Sequence, residues 1–327
     1  MHRIIISDFD STVTKKDTIH ILARLPYLIK PNFTPKWSHF NDLYLRNRDK
    51  LYPEILTHRN VPLLPPKFHG FNSVADYRNI LSKEFEYQNL LRDLEMTSTN
   101  EMARYRLFEG ISFRDVERYV ESLRASNHPI VRPEFSDFMR LSNIPAQDFY
   151  IVSVNWSSEF IRCIVEMEGC GCHLIEVENI FCNDLTSDKN GVYTGEFSNT
   201  LLTGVDKVEV METNILRNLE RDADPWYIGD SEADLLCILH PLVNGVLFVD
   251  PSKGLDDFLE LSVKLLGLPE DAMSNFFNDT NQLTLLALQK GNGKRCYLAK
   301  SWQGIAQILN LRATGLTYYT LVAGTER

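Results

Sequence analysis

Four short apolar, largely β-branched runs recur along the chain: Arg3 to Ser7, Phe149 to Val154, Trp226 to Ile228 and Val246 to Val249. Each is followed by a helical pattern. Runs this apolar, without a polar residue at every second position, belong to strands buried on both faces, and strand followed by helix, repeated, implies a parallel sheet covered on both sides. The helix starts are marked too. Ser157 stands ahead of the helical pattern that follows FYIVSV, and Ser231 with Asp234 has capping-box spacing after WYIG. In GVDKVEVMETNILRNLE, Val208, Met211, Ile215, Leu216 and Leu219 recur on one face, which predicts a helix over Asp206 to Leu219 just ahead of the strand at Trp226.

The distance from Thr14 to Phe149 is too long for a simple crossover, so a separate unit is expected there. Lys30 to His69 is rich in proline and aromatics and reads as irregular. Ser73 to Asn127 has a helical pattern, including a segment capped by Ser112 with Asp115 three residues on, and RPEFSDFMRLSN reads as a core helix leading back to the strand at Phe149. Lys189-Asn190-Gly191 marks a hairpin turn. Beyond Asp250 the sequence predicts a helix from Leu255 to Leu266, a polar loop and a turn-strand-helix pattern around GNGKR. The expected organisation is a core of residues 1–16 and 128–255, a mostly helical cap over 17–127, and an extension over 256–327 packed on the core.

In a parallel sheet, ligands bind in the crevice outside the carboxyl ends of the strands. Here those ends carry charge. The first strand runs into DFDST, with Asp8 and Asp10; the second ends at Ser153; Lys207 sits in the first turn of the helix before the third; and the third ends in GDSEAD, with Asp230 and Asp234. Singly, each has a bland reading as a strand-end hydroxyl, a solvated charge or a helix cap. Together they converge on one edge of the sheet.

Composition narrows the partners. With 327 residues, 44% apolar, and a net charge of −10, the chain can bury a large core but lacks the basic surface that phosphate backbones or anionic membranes require. No run approaches the roughly 20 apolar residues that span a bilayer, so the expected protein is soluble and cytoplasmic or nuclear, with no nucleic-acid or membrane partner. The six cysteines do not form a disulfide framework and read as small buried or free thiols. Oligomeric state leaves no mark in the sequence.

The set DFDST, the apolar strand ending at Ser153, the DK of TGVDKVEVM and GDSEAD, in that order, resembles the haloacid dehalogenase-like superfamily of phosphohydrolases. The large insert between the first two motifs resembles the helical cap of its phosphoserine-phosphatase-like group. The resemblance implies an α/β, Rossmann-like core and hydrolysis of a small phosphorylated metabolite. Asp8 would be the nucleophile that forms an aspartyl-phosphate, Asp10 the general acid and then base, and Ser153 and Lys207 the groups that hold the phosphoryl oxygens.

Four carboxylates around a phosphate cannot be balanced by Lys207 alone, so a divalent cation is implied. Mg2+, which prefers oxygen ligands, suits Asp8, the backbone carbonyl of Asp10, and Asp230. Asp234 would orient Lys207 or the metal's waters, and Thr12 would steady the turn. Thr12, Asp17, Asn155 and Asp234 complete the candidate substrate-binding set. Asp17 stands nine positions after the nucleophile, where phosphoserine phosphatases carry a glutamate for the substrate amine; it also reads as an exposed cap for a helix from Thr18 to Leu25. The SVNW stretch, Ser153 to Trp156, departs from the glycine pair common after that serine. A phosphotransferase or phosphomutase on the same intermediate, and a non-catalytic scaffold, are the alternatives.

Overall fold

The computed structural model describes residues 2–126, 129–142, 144–168 and 175–314. Cys170 and Cys172 lie outside these residues. The chain enters through β1 (His2–Ser7) and continues with β2 (Phe149–Val152), β3 (Ile180–Phe181), β4 (Leu185–Ser187), β5 (Tyr193–Phe197), β6 (Ala223–Gly229), β7 (Asn244–Phe248), β8 (Thr284–Gly291) and β9 (Lys294–Ala299). Seven of these form one sheet in the order β3-β2-β1-β6-β7-β9-β8. Every neighbouring pair in it is parallel except β8 against β9. The fold is α/β and Rossmann-like. All four sequence-predicted strands lie at its centre, and the residue-by-residue alternation follows the strand period of two: Ile5 joins Trp226 and Ile228 in the core on one face, Ile4 and Ile6 join Tyr227 on the other.

β4 and β5 pair antiparallel through the predicted turn, where Gly191 has φ of +71° and so relieves a backbone that a side chain would strain. The helix expected over Asp206 to Leu219 is regular only from Gly204 to Val210. It then widens into a π-helical turn over Met211–Ile215 and tightens over Leu216–Asn218, keeping Val208, Met211 and Ile215 buried throughout.

The stretch read as irregular, 30–69, contains a 20-residue helix, Trp37–Leu56. Its prolines explain the misreading. Pro31 and Pro35 precede the first turn, Pro62 follows the last, and Pro53 sits in the final turn, where it forgoes the one backbone bond back to Asp49. Trp37, Phe40 and Tyr44 stand at i, i+3 and i+7 on it, and it packs along helix Ser82–Arg104. The chain beyond Asp250 returns to the sheet: β9 pairs parallel with β7 and β8 closes the edge, while Trp302, fully buried against Phe135 and Phe138, donates its indole N–H to the Thr12 carbonyl at 2.9 Å. Among the described residues no helix is long and apolar enough to cross a membrane.

One buried polar pair has a pH signature. The His240 ring is fully buried, edge-on to Tyr77, and its Nε2 lies 2.9 Å from Glu212. Burial holds its pKa below the usual histidine value despite the glutamate. The unfolded chain therefore takes up this proton first as pH falls, so His240 makes stability decline below about pH 6.5. Replacing it with phenylalanine, which keeps the ring, is expected to flatten the change in Tm between pH 7.5 and 5 relative to the parent protein; an unchanged slope in thermal melts would contradict this assignment.

Candidate active site

The carboxyl edge of the sheet brings the strand ends together. β1 places Asp8 beside β6, with the Asp8 amide donating to the Ile228 carbonyl at 2.8 Å. The chain then turns sharply through Ser11, whose φ is +60°, and the amides of Thr12, Val13 and Thr14 all point back to the Phe9 carbonyl. This turn sets Asp8 and Asp10 on different neighbours.

Asp8 is buried and faces Lys207, which reaches across from the helix beginning at Gly204. The Lys207 Nζ donates to Asp8 Oδ1 and to Asp234 Oδ1, each at 2.8 Å. Burial pushes the Asp8 carboxyl well above the usual carboxylate range, Lys207 opposes that, and Asp234 and Asp230 add to it. Burial alone would lower the Lys207 pKa, but Asp234 and Asp8 together raise it, so the ammonium stays charged. Asp234 is held in turn by the Tyr227 hydroxyl at 2.7 Å, the Ser231 hydroxyl at 2.7 Å and the Ser231 amide at 3.1 Å. Its oxygens are thus occupied by four donors, and it serves to hold Lys207 in place.

Asp230 takes a hydrogen bond from the Thr12 hydroxyl at 3.0 Å and an ion pair from Lys253 at 2.5 Å. Carboxylate oxygens of Asp8, Asp230 and Asp234 lie within 4.8 Å of one another. With Asp234 saturated, Asp8 and Asp230 are the pair left to share a cation, and two buried carboxylates are hard-oxygen ligands of the kind that Mg2+ takes. Lys253 competes for the same oxygens of Asp230.

Asp10 points the other way. Its Oδ1 accepts from the Thr18 amide at 2.7 Å and the Thr18 hydroxyl at 2.6 Å, and its Oδ2 accepts from the Asn155 side chain at 2.8 Å. Burial, helped by Asp17, raises its pKa to about 6, against the pull of these donors. Such a carboxyl can exchange a proton near neutral pH. Ser153, at the end of β2, is buried, with its Oγ accepting from the Asn155 amide at 3.2 Å.

The predicted residues therefore gather at one edge in two groups: Asp8, Lys207, Asp234, Asp230 and Thr12 in one, Asp10, Asn155 and Ser153 in the other. Thr12 spends its hydroxyl on Asp230, Asn155 spends its side-chain N–H groups on Asp10 and Thr18, and Asp234 is taken up by Lys207, Tyr227 and Ser231. Asp17 is exposed and lines a cavity near Asp10; it accepts from the Ile19 amide at 2.7 Å, but the helix that follows is shorter than expected, Ile19–Leu22, and its N-cap is Thr18. Thr18, Tyr227 and Lys253 escape a sequence reading, since nothing in their spacing announces a partner; Lys253 alone leaves a trace, lying just past the end of β7 as the other residues lie past theirs.

Gly229 and Gly204 allow the close approaches. A Cβ on Gly229 would meet the Asp234 carboxyl carbon at 2.3 Å, and one on Gly204 the Ala233 carbonyl at 2.6 Å. Gly229→Ala must push Asp234 off Lys207. The expected cost is about 1–3 kcal/mol of stability, as for overpacking a tight interior, seen as a lowered Tm.

The fold, the order of the motifs and this edge are those of one group of proteins. The chain belongs to the haloacid dehalogenase-like hydrolase family, whose model matches residues 68–238. That span holds Ser153, Lys207, Asp230 and Asp234, while Asp8 and Asp10 precede it and are brought in by the pairing of β1 with β6. The chain is similar to cold tolerance protein 1 of Saccharomyces cerevisiae, 37% identical over 94% of this chain and 98% of that one. It is also similar to the mitochondrial bifunctional TH2 protein of Arabidopsis thaliana, 24% identical over 72% of this chain and 38% of the relative. A solved phosphoserine phosphohydrolase-like protein from Francisella tularensis aligns over 76% of this chain and 88% of its own length, at 14% identity and a TM-score of 0.38.

Proposed function

We propose that the protein hydrolyses the phosphate monoester of a small metabolite through an aspartyl-phosphate on Asp8. The observation that supports this reading is the buried chain Asp8, Lys207, Asp234, Tyr227: an ammonium fixed on one oxygen of a carboxylate, where it opposes the effect of burial on that carboxylate and offers charge to an incoming phosphoryl group. A phosphate monoester is a dianion, so its transfer depends on positioning and on positive charge around the phosphoryl oxygens.

In the reaction, an Asp8 carboxylate oxygen attacks phosphorus and the bond to the ester oxygen breaks. The leaving alkoxide takes its proton from Asp10, whose pKa of about 6 leaves part of it protonated near neutrality. Asp10, now ionised, removes a proton from water; the resulting hydroxide attacks phosphorus and restores Asp8. Thr18 and Asn155 keep the Asp10 carboxyl aimed throughout. Ser153 and the Val154 amide would donate to phosphoryl oxygens. Asp8, the Asp10 carbonyl and Asp230 would hold Mg2+, which when bound neutralises charge on the phosphoryl oxygens.

The test is phosphate release from p-nitrophenyl phosphate by the purified protein with Mg2+, against the same protein in excess chelator. Equal amounts of nitrophenol and phosphate are expected. Nitrophenol in excess of phosphate when an alcohol is added would mark a phosphotransferase instead, and no release from any ester would overturn the reading.

A further inference from the structure

The cavity beside Asp10 measures about 350 Å³, ample for a mid-sized organic group. Asp8, Asp10 and Ser153 are not in its lining, but chain neighbours of Ser153 and of the residues that hold Asp10 are. Asp17 precedes Thr18, which holds Asp10, and the lining residue Val154 stands between Ser153 and Asn155. Its walls have two components. Trp37, Phe40 and Tyr44, from one face of helix Trp37–Leu56, and Trp156, just after β2, present aromatic rings, with Trp37 and Trp156 edge-to-face at 6.2 Å between centroids. Asp17 and Glu95 present carboxyl groups, His20 is the one basic side chain of the lining, and no lysine or arginine is among the lining residues.

Glu95 is the informative one. It projects from helix Ser82–Arg104 and accepts from the Tyr44 hydroxyl at 3.0 Å. Burial raises its pKa, and the opposing cation is Arg48, which is exposed, stacked over Tyr52 at 5.4 Å and outside the lining. A carboxyl in a ring-walled pocket whose cation stands outside the lining is a place where a cationic ligand group gains both charge pairing and the attraction of aromatic faces. The converse also holds. A second anion on the substrate, such as an amino-acid carboxylate or a further phosphate, would be buried against Asp17 and Glu95 with His20 as the one basic side chain of the lining to pair it.

We propose that the leaving alcohol of the substrate carries a flat, cationic ring, stacked among Trp37, Tyr44 and Trp156 with its positive charge toward Glu95 and Asp17, and that it carries no second anion. This rests on the phosphatase reading above and narrows it to a substrate class.

Two synthetic esters of equal size and shape isolate the charge: (1-methylpyridinium-3-yl)methyl phosphate and 3-methylbenzyl phosphate. The expected result is a kcat/KM about tenfold or more higher for the pyridinium ester, carried by KM, since a desolvated cation–ring contact together with a carboxylate is worth at least that. In Glu95→Gln the ratio of the two values should fall severalfold toward one; because a ratio cancels the fraction of active protein, partial misfolding cannot imitate the effect. Phosphocholine, cationic but not flat, should be slower than the pyridinium ester. Equal turnover of the matched pair, a ratio unmoved by Glu95→Gln, or faster turnover of phosphocholine or O-phosphoserine would each overturn the inference while leaving the phosphatase reading in place. Failure of every ester, p-nitrophenyl phosphate included, would instead sink the phosphatase reading on which it stands.

Discussion

Asp8→Asn is expected to lower phosphate release by on the order of 10⁴-fold or more, the scale seen when a covalent nucleophile is removed from a unit that acts together. The substitution changes charge and nucleophilicity with almost no change in shape. An asparagine oxygen can still accept from Lys207, as Asp8 Oδ1 does at 2.8 Å, and one fewer charge is buried beside Asp230 and Asp234. The fold should therefore survive, and a Tm close to that of the parent is part of the expected result. The two readouts together separate loss of chemistry from loss of structure. Turnover within tenfold of the parent, in protein that melts normally, would mean that phosphate is being cleaved by direct attack of water and that Asp8 only helps to hold the site together.

Much of this edge could be read from the sequence because its determinants are local. An apolar run ending in DFDST or GDSEAD states both that a strand is buried and where it stops, and the Ser112–Asp115 and Ser231–Asp234 boxes seen in the structure are contained within four residues each. The partners are another matter. Lys207 finds Asp8 from 199 positions away, and Lys253 finds Asp230 only because β6 and β7 are neighbours. Such pairs follow from topology, and a spacing rule cannot supply them. The turn at GNGKR and the strand after it were legible, but not their place at the closing edge of the main sheet, since a strand's own residues do not name the strand it will pair with.

The helix Trp37–Leu56 shows a different failure. Its prolines suggested irregular chain, and attention to them hid the i, i+3, i+7 spacing of Trp37, Phe40 and Tyr44, the three rings that line the cavity beside Asp10. The neighbouring helix Ser82–Arg104 ties the insert to the site's other loops. Glu84 pairs with Arg59, which also bridges to Glu232 in GDSEAD; Gln88 accepts from the Gly204 amide at 3.1 Å; and Arg92 pairs with Asp206, next to Lys207. The insert is thus bonded to the two loops that carry Lys207 and Asp230.

Those loops make Lys207 the position where structure and chemistry are least separable, and Lys207→Met should show it. The lysine is buried between two carboxylates that are themselves buried, so deleting its charge leaves Asp8 and Asp234 facing each other without a cation. Breaking a buried pair in this way costs about 3–5 kcal/mol, and a large drop in Tm is expected. Part of that cost can be relieved by protonating Asp8, whose pKa burial already raises. That relief removes the nucleophile, since a protonated carboxyl does not attack phosphorus, and turnover should vanish even in the folded fraction. The double variant Lys207→Met with Asp8→Asn distinguishes the two effects. Removing the opposing charge together with the lysine should recover about 1–3 kcal/mol of the lost stability, the range of coupling found for residues in direct contact, without recovering any activity. Additive losses in the double variant would mean that the ion pair seen at 2.8 Å contributes nothing to the fold, and the case for Lys207 as the charge that opposes burial at Asp8 would go with it.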